Sequence, residues 1–245
     1  MQTKNIGIIA SVIIGIAVIG AIVLGTNTVE ETVDKFAVSA DTVDVLLQNK
    51  EHVFVVDIRT AEQYQSGHID GASHDVLDSA TLEKRVKTIQ NRLPEVASTY
   101  NLVLVDDDGT QAKQAAQSMT EMGIQTFYLD GGMSSLDEDL VSSSKTVIDS
   151  EELMQNLDVN EDLFLLDVRE PDELLDSKID GAVNIPLVEI FQPGGMNDIP
   201  TDKPVVIICG SGNRAAIATY PMAQEGIDFQ VLEGGMKAWN AQIQE

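Results

Sequence analysis

Residues 53–73 read VFVVDIRTAEQYQSGHIDGAS, and 110 residues later, without a gap, residues 163–183 read LFLLDVREPDELLDSKIDGAV. Each begins with an apolar run, turns polar at an Asp-Ile-Arg or Asp-Val-Arg triplet, and closes on Ile-Asp-Gly-Ala, so the chain holds two copies of one unit. A second block repeats as well. GIQTFYLDGGM (123–133) falls on GIDFQVLEGGM (226–236), identical at six of eleven positions, with an offset of 103. The offsets differ by seven, so the first copy carries seven extra residues between its two blocks, near residues 81–93. Insertions of that size belong in loops or at helix ends.

Short apolar runs at 53–56, 102–105 and 127–129, and at 163–166, 205–208 and 230–232, alternate with longer helical-looking stretches. Runs rich in Val and Ile and bounded by Asp, Pro or Gly are the pattern of strands covered on both faces in a parallel sheet. Each copy is therefore expected to be an α/β domain, a parallel sheet flanked by helices. The first domain is expected at 38–137 and the second at 146–245. The stretch 134–145, SSLDEDLVSSSK, is rich in Ser and acidic residues and reads as the connection, with the linker proper at 138–145.

Ahead of the repeats lies IGIIASVIIGIAVIGAIVLG (6–25), twenty residues without a charge. As a helix rising about 1.5 Å per residue it reaches roughly 30 Å, the hydrocarbon thickness of a bilayer, and is expected to be one transmembrane helix. Lys4 and the terminal amine precede it, whereas Glu30, Glu31 and Asp34 follow. The positive-inside bias then keeps the N-terminus cytoplasmic and places both domains outside the cell membrane, behind a polar tether at 26–37. The competing reading is a cleaved signal peptide ending near Gly25, which would make the domains secreted.

The chain has 245 residues, enough for two ordinary domains, and 15 basic against 40 acidic residues give it a net charge of −25. Such a surface repels nucleic acid, so a nucleic-acid partner is excluded. The lone cysteine, Cys209, cannot form an intrachain disulfide. It stands in KPVVIICGSGNRAA (203–216), at the carboxyl end of an apolar strand and before a helical run, where open α/β sheets collect ligands. A strand ending in C-G-S-G-N-R aims several backbone N–H groups and a helix N-terminus at one point, which favours a thiolate and holds an anion. Gly210 and Gly212 permit the tight turn, and Arg214 adds a fixed positive charge at its rim.

Taken together, D-V-R-E (167–170), I-D-G-A-V-N-I-P (179–186), the C-x-x-G-x-R loop (209–214) and E-G-G-M-x-A-W (233–239) resemble the rhodanese-type sulfurtransferases. The resemblance covers nearly everything after the tether. It implies two rhodanese-like domains, each built on a five-stranded parallel sheet. It further implies that Cys209 becomes a persulfide, with Cys209 and Arg214 catalytic. Gly210, Ser211, Gly212, Asn213 and Arg169 form the implied substrate-binding set, and Asp167 braces the loop with Arg169. The implied partners are a small sulfur donor of the thiosulfate or mercaptopyruvate type and a thiol, protein thiol or cyanide acceptor; no metal and no cofactor are required. C-G-S-G resembles mercaptopyruvate enzymes and the closing N-R resembles single-domain rhodaneses, so the donor stays open. The usual G-H-I is here Ser177-Lys178-Ile179, and Ala215 replaces a serine that often follows the loop arginine.

The first copy aligns Asp106 with Cys209, Gly109 with Gly212 and Gln111 with Arg214, and so lacks both thiol and guanidinium. It is expected to be catalytically silent. D-D-D-G-T (106–110) also resembles the nucleophile motif of haloacid-dehalogenase-type phosphatases, but its place inside the repeat explains it more simply. A cysteine phosphatase of this fold needs C-x5-R, whereas Cys209 and Arg214 enclose four residues. A Cys–His hydrolase lacks a neighbouring histidine, because His52, His68 and His74 all lie in the first copy. Of these, His68 is expected to have a structural hydrogen-bonding role and His74 to lie on the surface. The non-enzymatic alternative is a membrane-tethered binding or regulatory module.

Overall fold

The computed structural model describes residues 34–49, 52–136, 140–143, 145–159 and 162–244. The apolar stretch 6–25 and most of the tether lie outside them. Among the described residues no helix is long and apolar enough to cross a membrane.

The first copy runs β1 (Ala37–Val38), α1 (Ala40–Asn49), β2 (Val53–Asp57), α2 (Ala61–Ser66), β3 (Ser73–His74), α3 (Ser79–Arg92), α4 (Pro94–Thr99), β4 (Asn101–Val105), α5 (Thr110–Glu121) and β5 (Thr126–Leu129), then a 3-10 turn at Gly132–Ser135. The second follows with β6 (Val147–Ile148), α6 (Ser150–Asp158), β7 (Phe164–Asp167), a 3-10 turn at Pro171–Leu175, β8 (Val183–Asn184), α7 (Leu187–Ile190), β9 (Val205–Ile208), α8 (Asn213–Gln224), β10 (Phe229–Leu232) and α9 (Gly235–Gln242). Helix starts are set locally. Asp78 accepts from Thr81 N at 2.7 Å to open α3, Asp149 accepts from Glu152 N at 2.8 Å to open α6, and Thr60 forms a capping box with Gln63 at α2.

Two five-stranded sheets result, ordered β1-β5-β4-β2-β3 and β6-β10-β9-β7-β8, with parallel pairing throughout. The strand period of two decides which side chains meet which layer. Val53 and Val55 of β2 join Val43 of α1 in an outer cluster, while Phe54 and Val56 point the other way. Likewise Val206 and Ile208 of β9 join Leu153 and Trp239, and Val205 and Ile207 face inward. The inward sets of both sheets belong to one apolar cluster, shared with α3, α5 and α8. Residues Asp34–Glu245 accordingly form one compact unit rather than two beads on a linker.

Three expectations shift. Asp34, counted with the tether, caps Phe36 N at 3.0 Å and pairs with Lys113 at 2.6 Å, so the fold begins ahead of residue 38. Within the expected linker, Val141 forms an antiparallel bridge with His68 and is tied back onto the first copy. His74, expected on the surface, is 7% exposed. Its Nε2 bonds the Arg59 carbonyl at 2.9 Å and its Nδ1 meets Thr146 Oγ1 at 3.0 Å, joining the two copies. The strand end it occupies faces the other copy, which its polar character alone does not reveal. His68 is buried, stacks on Tyr64 at 3.7 Å and bonds the Tyr64 carbonyl through Nδ1 at 2.9 Å; burial holds its pKa below the ordinary imidazole value.

The seven extra residues of the first copy lie in the α3–α4 region. At the corresponding place the second copy has only the four-residue α7 and a turn-rich segment.

Candidate active site

Cys209 follows the last residue of β9, and Gly212, at φ +86°, turns the chain into α8. That left-handed angle is costly for any residue with a Cβ. The turn brings the Gly212 N–H onto Cys209 Sγ at 3.1 Å, at the N-terminus of a twelve-residue helix. The sulfur is enclosed, with Cys209 1% exposed.

The E-G-G-M segment supports this loop from behind. Met236 N–H donates to the Cys209 carbonyl at 2.7 Å and Lys237 N–H to the Gly210 carbonyl at 3.1 Å. Gly235 has φ +57°, and a Cβ there would stand 2.7 Å from Ser211 N and 2.9 Å from Gly210 C, closer still to the Cys209 oxygen. Gly235 is thus a site residue that the sequence reading did not single out, although its repeat at Gly132 was the available signal. A Cβ on Gly132 would meet Asp108 N at 2.6 Å, and Met133 N–H donates to the Asp106 carbonyl at 2.8 Å.

The thiol-less copy displays what this loop geometry does with a negative charge. Asp106 takes the cysteine position, and its carboxylate accepts from Gly109 N at 2.5 Å, Gln111 N at 2.7 Å and Ala112 N at 3.1 Å. The corresponding amides in the second copy are those of Gly212, Arg214 and Ala215. With its carboxylate buried and held by backbone donors, Asp106 is not presented as a nucleophile, so the phosphatase-like reading of D-D-D-G-T fails on geometry.

An ionic frame stands beside the loop. Arg169 grips Asp167 through Nε at 3.0 Å and Nη2 at 2.7 Å, and donates to the carbonyls of Ser177 at 2.8 Å and Glu173 at 3.2 Å. Both partners are buried. Asn184 Nδ2 fixes the same segment by donating to the carbonyls of Asp167 and Arg169, each at 2.8 Å. The first copy repeats the fork with Arg59 and Asp57. Arg169 therefore braces the strand end rather than facing an open cavity.

Arg214 is held by a residue the sequence reading passed over. Its Nη1 and Nη2 meet Glu173 Oε2 and Oε1 at 2.5 and 2.7 Å. The Arg214 hydrogen bond outweighs partial desolvation and lowers the Glu173 carboxyl to about 2; the same bond raises Arg214 above the ordinary guanidinium value. Ser211 is exposed. Asn213, expected to meet the donor, instead turns its amide toward α3 of the first copy, where it contacts Arg85 and Thr88. The structure therefore gathers Cys209, the loop glycines and Arg214, and directs Arg169 and Asn213 to positioning contacts. Trp239 and Met236 are core residues.

A family model described as the Rhodanese-like domain matches residues 39–139 and again 149–242, and the chain belongs to that family. Over 93 residues it is 41% identical to a sulfurtransferase of Allochromatium vinosum, a match covering 38% of this chain and 85% of that protein. A rhodanese-related protein from Thermoplasma volcanium of known crystal structure is 32% identical, with 40% of this chain and 92% of that one covered at a TM-score of 0.36. The thiosulfate sulfurtransferase of Pseudomonas aeruginosa aligns over 85% of this chain and 43% of its own, at 19% identity and a TM-score of 0.36. The chain thus carries two family domains in tandem, with the thiol confined to the second, and is similar to sulfurtransferases.

Proposed function

We infer that this chain is a membrane-anchored sulfurtransferase that carries a sulfane sulfur on Cys209. The observation that supports this best is the pairing of Gly212 N–H with Cys209 Sγ at 3.1 Å, in a loop whose thiol-less twin directs three amides onto the Asp106 carboxylate. A loop with that geometry suits an anionic sulfur.

In the first step the Cys209 thiolate attacks the outer sulfur of a thiosulfate- or mercaptopyruvate-type donor. A new S–S bond forms as the donor's bond to that sulfur breaks, and the bonding electron pair leaves with the remainder of the donor. The Gly212 N–H faces the persulfide, the twin loop supports the amides of Arg214 and Ala215 beside it, and the family resemblance extends the cradle over Gly210 to Arg214. In the second step a thiol or cyanide attacks the outer sulfur, and Sγ leaves as thiolate, ready for another cycle. Arg214 draws the anionic donor to the rim once Glu173 yields it. Asp167 and Arg169 keep the strand end rigid. The stretch 6–25 anchors the protein in the cell membrane with both domains outside.

A second reading, a tethered binding or regulatory module, draws support from the 1% exposure of Cys209 and the capture of Arg214 by Glu173. The test is to incubate the purified full-length chain with thiosulfate and, separately, with mercaptopyruvate, and to weigh it intact. Gain of one sulfur atom, lost on adding cyanide or a thiol and missing in Cys209→Ser, supports the enzyme. No gain with either donor favours the module. Cell fractionation that leaves the chain in the soluble fraction would overturn the anchor.

A further inference from the structure

Helix α3, in the region enlarged by the first copy's seven extra residues, lies against the loop of the other copy. Three of its side chains, spaced as one helical face, reach across: Arg85, Thr88 and Arg92. Arg85 Nη1 donates to Asn213 Oδ1, and Asn213 Nδ2 donates to Thr88 Oγ1 at 2.5 Å, so both ends of the Asn213 amide are fixed. Arg92 pairs with Glu170 at 2.8 Å. Arg85 is itself anchored by Asp75, through Nε at 2.7 Å and Nη2 at 2.8 Å. The Asp75 carboxylate also accepts from Tyr220 OH at 2.8 Å. Asn213 and Tyr220 stand seven residues apart on α8, two turns along one face, so the first copy holds that helix at its first residue through α3 and in its middle through Asp75, the partner of Arg85.

We propose that Arg85, in the copy without a thiol, is a positioning residue for the Cys209 loop: by locking Asn213 at the first turn of α8 it keeps the adjoining Gly212 N–H aimed at the sulfur. The catalytic consequence rests on the sulfur-transfer reading above, but the geometric claim does not. The charged and titratable groups around this junction include Asp75, Arg85 and Arg92 of the first copy and Tyr220, Arg214, Glu173 and Glu170 of the second. Burial opposes the charge of Arg85, yet the Asp75 carboxylate beside it holds its pKa above the ordinary guanidinium value.

Interface adhesion alone would not single out one amide, and the repeat supplies an internal reference. Gly109 N–H donates to Asp106 in the first copy's loop, where Thr110, the residue matching Asn213, is held within its own loop, its N–H donating to Asp108 Oδ1 at 2.9 Å. Hydrogen exchange of the full-length chain, read by mass spectrometry on peptides resolving Gly109 and Gly212, compares them in one sample. Arg85→Gln is expected to speed exchange at Gly212 by about tenfold or more, the scale of losing a charge-assisted hydrogen bond, and to leave Gly109 unchanged. Arg85→Lys keeps a positive charge beside Asp75 without the fork that reaches Asn213, so it should match Arg85→Gln at Gly212 with less loss of melting temperature. Thr88→Val attacks the clamp from its other side and leaves the buried Arg85–Asp75 pair intact, should either Arg85 variant fail to fold. Gln224→Ala removes another contact between the copies, Nε2 to the Val53 carbonyl at 2.5 Å, and should leave Gly212 exchange unaltered. Equal acceleration at Gly109 and Gly212, or none at either, would overturn the proposal. Because exchange needs no sulfur donor, a chain that never loads sulfur would refute the enzymatic reading and still decide the clamp.

Discussion

Gly235→Ala isolates the force that shapes the loop from behind. The substitution adds one methyl group where φ is +57° and where the nearest neighbours are backbone atoms of the Cys209 loop, at 2.7 Å and below. Left-handed backbone costs an alanine about 1–2 kcal/mol. The overlap cannot be relieved by a side-chain rotation, so the segment must retreat and stretch the bonds from Met236 N–H to Cys209 and Lys237 N–H to Gly210, at about 0.5–1.5 kcal/mol each. The total is about 2–5 kcal/mol, a large part of the roughly 5–15 kcal/mol that holds a domain folded. Gly226→Ala provides the control, because Gly226 has φ +68° with nothing within 4 Å of its would-be Cβ, and should lose only the conformational part. Urea denaturation followed by the fluorescence of Trp239, the single tryptophan, reads both variants, since that ring packs in α9, the helix Gly235 begins. A urea slope of about 1–3 kcal/mol per molar converts the expected difference into a midpoint shift of roughly 1 M. If both variants lose the same stability within about 0.5 kcal/mol, the close approach contributes nothing and the reasoning fails.

Cys209→Ser should abolish sulfur loading by intact mass while the urea midpoint moves by less than about 1 kcal/mol equivalent, because the exchanged groups are nearly isosteric. Arg169→Ala should cost about 3–5 kcal/mol, since it strands the buried carboxylate of Asp167; a thermal melt within a few degrees of the parent would contradict that. Glu173 carries a depressed folded value, about 2 against an ordinary 4.5, set chiefly by its hydrogen bond to Arg214. Its contribution is therefore complete above pH 4.5 and declines as pH falls toward 2. Melting temperatures of Glu173→Gln should thus lie below the parent at neutral pH and converge with it on acidification, by a small amount because the carboxylate is 34% exposed. A gap that widens toward acid would refute the assignment.

Much of this architecture was legible in the chain itself. The apolar runs at 53–56, 102–105, 163–166 and 205–208 became β2, β4, β7 and β9, and the Cys209 loop lies between β9 and α8, because strand burial and glycine-dependent turns are local properties. The role of Glu173 was not legible. Its pairing with Arg214 spans 41 residues, and nothing in P-D-E-L announces it. Asn213 read as a polar loop residue facing a donor because its spacing reveals the turn but not the direction of its side chain. His74 was misplaced for the same reason.

By itself the sequence determined the repeat, the parallel α/β class, the position of the one thiol and the family, since all of these are written in periodicity and in residues near one another along the chain. The tertiary structure alone decided that the copies share one core and that α3 of the first grips α8 of the second. Those outcomes depend on which apolar faces remain uncovered after each sheet has formed. Only when the inner faces of both sheets close on the helices between them do Arg85 and Asn213, 128 residues apart, come within bonding distance.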